Sequence, residues 1–133
     1  MNIRTLIALV AGTAVSILLG WFIAERLLTS FYSTHIVYYP GLLKVESVHW
    51  AKALAHACLV LLIIYVLSHG DSRTLLGGLI VGFTVGLLVS ASYDLFFYAG
   101  WNMFSKRALA NNIVTNIIVS SITGAVVGAI MKE

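Results

Sequence analysis

The chain has 133 residues, of which 60% are hydrophobic and only 10% charged, with a formal net charge of +3. A soluble domain carries about 25% charged residues and, at this size, leaves about a third of its surface in water, so this composition excludes a water-facing exterior and implies a lipid-facing one. The basic residues are scattered, with no Lys or Arg run to follow a phosphate backbone, which excludes nucleic acid as a partner, and the single cysteine, Cys58, can form no intrachain disulfide.

The first uncharged stretch, Thr5–Ala24, begins just after Arg4 and stops at Glu25-Arg26. Its 20 residues match the thickness of a hydrocarbon core and predict a span over residues 5–26. A cleaved signal peptide would have a shorter apolar region, about 7–15 residues, followed by a small-residue cleavage site, and none follows Ala24. The connection from Glu25 to His49 holds the only proline, Pro40, followed by Gly41. Its Phe31, Tyr32, His35, Tyr38 and Tyr39, with Trp50 just beyond, are of the amphipathic type that settles at membrane interfaces, so a segment lying on the bilayer surface is expected.

The second span is placed at residues 50–68: the run Leu54–Leu67 reaches spanning length when Trp50, Lys52 and Ser68 are included and Lys52 snorkels toward the headgroups. Thr74–Tyr93 carries no charge, and the pattern continues past Asp94 to Ala99, giving a third span at 74–99 that contains an acid. Ala108–Met131 is uncharged and ends at Lys132-Glu133, which gives the fourth at 108–131. The links after the second and third spans are short and favour antiparallel neighbours. The expected architecture is therefore all-α: one integral membrane domain, a four-transmembrane-helix antiparallel bundle with an interfacial segment between its first two helices. Arg4, Arg73 and Lys132 fall on the side of the termini and Arg26, Lys44, Lys52, Lys106 and Arg107 on the other, three against five. The positive-inside rule then puts the first and third loops in the cytoplasm and the termini outside.

Small residues recur every fourth position. The first span has Ala8, Gly12, Ser16, Gly20 and Ala24; the third has Thr74, Gly78, Gly82, Gly86, Ser90 and Asp94; the fourth has Asn112, Asn116, Ser120, Gly124 and Gly128. Residues four apart share a helix face, and flat faces let backbones approach in lipid, where packing drives association. The plain expectation is that Gly12, Ser16, Gly20, Gly78, Gly82, Gly86, Ser90, Gly124 and Gly128 pack the helices of one bundle. The sharper one is that a stripe builds a homo-oligomer or docks onto a larger membrane complex.

Antiparallel threading brings His49, Lys52 and His56 of the second span, Asp94 of the third, and Asn111, Asn112 and Asn116 of the fourth to one side of the membrane, beside Glu25 and Arg26. Asp94 stands about five residues, or about 7–8 Å, inside its helix end, where an unpaired carboxylate would cost about 3 kcal/mol. His49, Lys52 and His56, at i, i+3 and i+7, project from one face, which makes Lys52 and His56 the expected partners of Asp94. The plain reading is a buried pair or a neutral acid that fixes packing; the functional reading is a ligand- or proton-binding site built from Asp94, His56, Lys52, Tyr93, His49, Asn112 and Asn116. No catalytic residue is assigned, because no nucleophile elbow, H-E-x-x-H or Walker loop is present, and the absence of H-x-x-H or C-x-x-C spacing argues against a metal. No cofactor is expected.

Thr74-Leu75-Leu76-Gly77-Gly78, then Gly82, Gly86 and Tyr93-Asp94-Leu95, followed by Ala99 and Trp101, resemble a family of small bacterial four-helix membrane proteins to which no activity is attached. In that family a glycine-bearing helix ends in Tyr-Asp-Leu and is followed by a short basic loop and a last apolar helix. The similarity covers roughly residues 50–131, with a fainter echo at Trp21 and Phe31-Tyr32. Where the family has an acid followed by Trp-Gly, this chain has Asn116, Val119 and Ser120, and Phe96-Phe97 replaces its Thr-Asn. The resemblance implies a bacterial inner-membrane protein and directs attention to Tyr93 and Asp94.

The expected function is that of a small binding or accessory component of the membrane with a polar pocket near Asp94, whose partners are the lipid bilayer and further copies or subunits. The alternatives are a proton-coupled transporter or channel subunit, in which Asp94 titrates against His56 and Lys52, and an enzyme acting on a lipid or quinone.

Overall fold

A computed structural model describes residues 2–42, 44, 46–71 and 73–132. The helices are α1 (Ile3–Phe22), continued by one π-helical turn (Ile23–Leu27), α2 (Thr29–His35), α3 (His49–His69), α4 (Leu75–Gly100) and α5 (Lys106–Met131). Among the described residues four stretches, Ile3–Leu27, α3, α4 and α5, are long and apolar enough to cross a membrane. The protein is an antiparallel four-helix membrane bundle with a short fifth helix between its first two spans.

Local chemistry sets the helix ends. Thr74 caps α4 by accepting from Gly77 N at 3.0 Å, and Ser105 caps α5 by accepting from Ala108 N at 3.1 Å. The Ser105 cap explains why α5 begins two residues before the apolar run, taking Lys106 and Arg107 into its first turn. At the end of α1 the ladder slips to the wider spacing, with Leu28 N donating to Ile23 O at 3.0 Å. The Thr29 hydroxyl donates to Glu25 O at 2.7 Å, covering a carbonyl at this slip.

The stripes of α4 and α5 face each other. A Cβ added at Gly78 would strike the carbonyl of Gly124, one at Gly82 that of Ser120, one at Gly124 that of Gly78 and one at Gly128 that of Thr74. Backbone lies against backbone, a contact only glycine permits. The α1 stripe turns to α3 and α5: Ala8, Gly12 and Ser16 are buried, and a Cβ on Gly12 would fall 2.7 Å from Val127 and 2.9 Å from Val60. All three stripes are thus used within one chain.

Ala8, Val60, Ile63, Ile64, Leu67, Val85, Val127 and Met131 form the apolar core, most of it in the half of the bundle nearer the termini, where Arg4 also donates to Lys132 O at 3.0 Å. At the other end the chain after α2 pairs with the α4–α5 turn. Val37 N donates to Met103 O at 3.0 Å, Ser105 N donates to His35 O at 3.3 Å, and Ile36 bridges Phe104 in antiparallel fashion. Large side chains cover the outside, among them Phe96, Trp50, Ile3, Leu88 and Val10, as a lipid-facing surface requires.

Candidate functional site

The polar half of the bundle centres on Asp94, which α4 carries six residues before its end at Gly100 and which is only 6% exposed. Asn112, from the start of α5, donates from Nδ2 to Asp94 Oδ2 at 2.8 Å. Its own Oδ1 accepts the Tyr32 hydroxyl of α2 at 3.4 Å. The carboxylate, which can only accept when ionised, fixes the orientation of the amide. Three elements therefore converge through Asp94, Asn112 and Tyr32.

Burial pushes the Tyr32 hydroxyl above the usual tyrosine value of 10.0, and the nearby Asp94 charge adds to this; Asn111 and Thr115 beside it pull the other way.

A cavity of about 220 Å³ adjoins this group, lined by Asp94, Asn112, Asn116, Ser90 and Ser120 on its polar side and by Leu59, Gly86, Val89 and Tyr93 on the other. Ser90 spends its proton on Gly86 O, at 2.6 Å, and so presents lone pairs. Ser90 is about as buried as Asp94 and Ser120 more so, whereas Tyr93 is 62% exposed on the outer face of α4. Asp94, Ser90 and Ser120 make the deep part of the polar wall, while Asn116 and the Tyr93 ring, both exposed, stand at the rim.

Of the residues singled out from the sequence, Asp94, Tyr93, Asn112 and Asn116 line one cavity. His49, Lys52 and His56 do not join them, and the expected pairing of Asp94 with Lys52 and His56 is corrected. The α3 face that carries His56 turns to the small-residue face of α1, where His56 Nδ1 lies 2.6 Å from Ser16 Oγ and Gly20 is its neighbour. Lys52 is exposed and donates to Ser47 Oγ at 3.1 Å, and His49 is exposed at the first position of α3. Helix spacing placed these residues on one face but could not give the rotation of α3, which turns Leu59 to the cavity instead. Among the described residues Asp94 takes part in no ion pair, and Asn112 is its only hydrogen-bond partner.

Tyr32, Ser90, Ser120 and Leu59 complete the site. Ser90 and Ser120 were visible as members of the stripes, while Tyr32 sits in a connection where no periodicity applies. Among the described residues no three His, Cys, Asp or Glu side chains gather as metal ligands would.

No family model, curated protein or solved structure matches the chain. Fold and site together define a class: a small four-span integral membrane protein with a part-open cavity, polar on one wall and apolar on the other, between its second, third and fourth spans.

Proposed function

We propose that the chain is a ligand-binding component of the membrane and that the Asp94 cavity is its site. The observation that carries this reading is a buried carboxylate, held by one neutral amide, on the wall of a cavity lined by further amide and hydroxyl groups. A carboxylate that served only as a packing lock would be expected to have its oxygens saturated by neighbouring helices, since a partly satisfied polar group in the membrane is costly.

Native mass spectrometry of the protein extracted from membranes tests this reading. A bound species that disappears in Asp94→Asn, while thermal stability stays close to that of the parent, supports it. A variant that loses stability, with no bound species in either form, leaves Asp94 as a packing residue.

We further propose a bacterial inner membrane as the location, on the resemblance around Tyr93-Asp94-Leu95, with both termini on the non-cytoplasmic side. The support for the orientation is the charge bias of three against five. Alkaline phosphatase fused after Lys132 should be active, and the same fusion in the α4–α5 turn inactive; the reverse pattern inverts the orientation.

A further inference from the structure

We infer that the Asp94 cavity takes the head of a primary alkylammonium amphiphile, with its alkyl chain along the outer face of α4. This rests on the reading of that cavity as a binding site and adds the chemical class of its ligand.

Two observations, with the chemistry of the alternative heads, define the head. The wall offers acceptors: deep in it the Asp94 carboxylate and the Ser90 oxygen whose proton is spent on Gly86 O, and nearer the mouth the exposed Asn116 amide, which can turn its oxygen to an N–H donor. No Lys, Arg or His is among the described residues that line the cavity, so a phosphate, sulfate or carboxylate head would meet Asp94 without a counter-charge. A neutral alcohol would leave the buried carboxylate uncompensated, and a quaternary ammonium would bring charge but no N–H for these acceptors. A primary ammonium supplies both.

Two observations define the tail. The cavity, at about 220 Å³ and open on one side, has room for the ammonium and its first methylenes but not for a long chain. Val89 and Tyr93 belong both to the cavity and to a shallow outer groove formed with Leu88, Ser92, Phe96 and Phe97. Leu88 is 64% exposed and Phe96 75%. The chain can therefore leave past the Tyr93 ring and stay in hydrocarbon, so the ligand reaches the site from within the bilayer. A phospholipid that carries an amine would draw its phosphate to the same acceptor wall, which favours a free amine over a lipid headgroup.

Isothermal titration of the full chain in nonionic micelles with octylammonium, octyltrimethylammonium, octanol and octyl sulfate tests the inference. Octylammonium should bind saturably, octyltrimethylammonium at least about tenfold more weakly, and octanol and octyl sulfate without saturation. Asp94→Asn should weaken octylammonium at least about tenfold. Val89→Trp, at an outward position that leaves the α4–α5 contact intact, should block the passage and abolish binding, which keeps the test decisive if Asp94→Asn misfolds. Equal binding of octanol or octyl sulfate, no saturable octylammonium binding, octylammonium binding unchanged in both variants, or binding of an ethanolamine phospholipid in its place overturns the inference. An Asp94-dependent copurifying species without an amine also overturns it and leaves the binding site itself standing.

Discussion

Ser16 Oγ lies 2.6 Å from His56 Nδ1 and ties α1 to α3 at a level where Ser16 is fully buried. Interhelical hydrogen bonds of this kind in membranes contribute about 0.6 kcal/mol on average and up to about 1.7. A double-mutant cycle of Ser16→Ala and His56→Ala, followed by unfolding in mixed micelles, should give a coupling energy in that range. Zero coupling would show that the two groups meet without stabilising the bundle.

Alanine substitutions at the glycines should divide by what their methyl group strikes. At Gly78, Gly82, Gly124 and Gly128 it meets backbone of the facing helix, which can yield only if α4 and α5 separate. Each is expected to cost at least about 1–3 kcal/mol. At Gly20 the nearest atom is His56 Cε1 at 3.5 Å, an ordinary contact, so Gly20→Ala should be close to neutral. Thermal unfolding of the set checks the ranking, and a Gly20→Ala variant as damaged as Gly124→Ala would contradict it.

Tyr32 gives an alkaline signature. Its folded-state value lies above the ordinary 10.0, chiefly because of burial, so the folded protein holds the phenol proton more tightly than the unfolded chain. The resulting stabilisation is complete below about pH 10 and is lost as pH rises above it, through the folded value, because in that window the unfolded chain ionises first. The ultraviolet phenolate titration of the parent minus that of Tyr32→Phe should reveal one tyrosine that ionises above the ordinary value. A difference curve centred at or below it would remove the burial assigned to this hydroxyl.

Val37→Pro removes the donor to Met103 O and accords with Ile36, whose backbone is already extended at φ −110° and ψ 131°. The loss should be about 1 kcal/mol and local. Hydrogen exchange should accelerate at the Ser105 amide, which donates to His35 O, and in α2, while the spans keep their protection; uniform acceleration would mean that this pairing supports the whole bundle.

The four spans were legible because charges mark their limits: Arg4 and Glu25, Lys52 and Asp71, Arg73 and Lys106, Arg107 and Lys132 bracket stretches that only lipid can solvate. The stripes were legible as faces, yet which stripe meets which depends on rotation and register, and a spacing of four residues carries neither. The same gap explains Asp94. Its depth and its need for a partner follow from sequence, but the choice of Asn112 over Lys52 and His56 follows from the close α4–α5 contact, which brings the α5 amide to the acid first. The α5 start was missed because the reading followed the charge boundary at Arg107 rather than the hydroxyl at Ser105. Tyr32 was taken as an interfacial anchor, since nothing in a connecting segment announces that it folds back onto the end of the bundle.

The packing of α1 against α5, through Gly12 and Val127 and through Arg4 and the Lys132 carbonyl, joins segments more than a hundred residues apart in the chain. When α1 leaves the ribosome, the flank of its flat face that belongs to α5 has nothing to rest on until α3, α4 and α5 have followed. The glycine face of α4 waits for the same helix. A nascent chain halted before α5 would present two unfilled seams to the bilayer at once, so α5 is the helix whose arrival closes both.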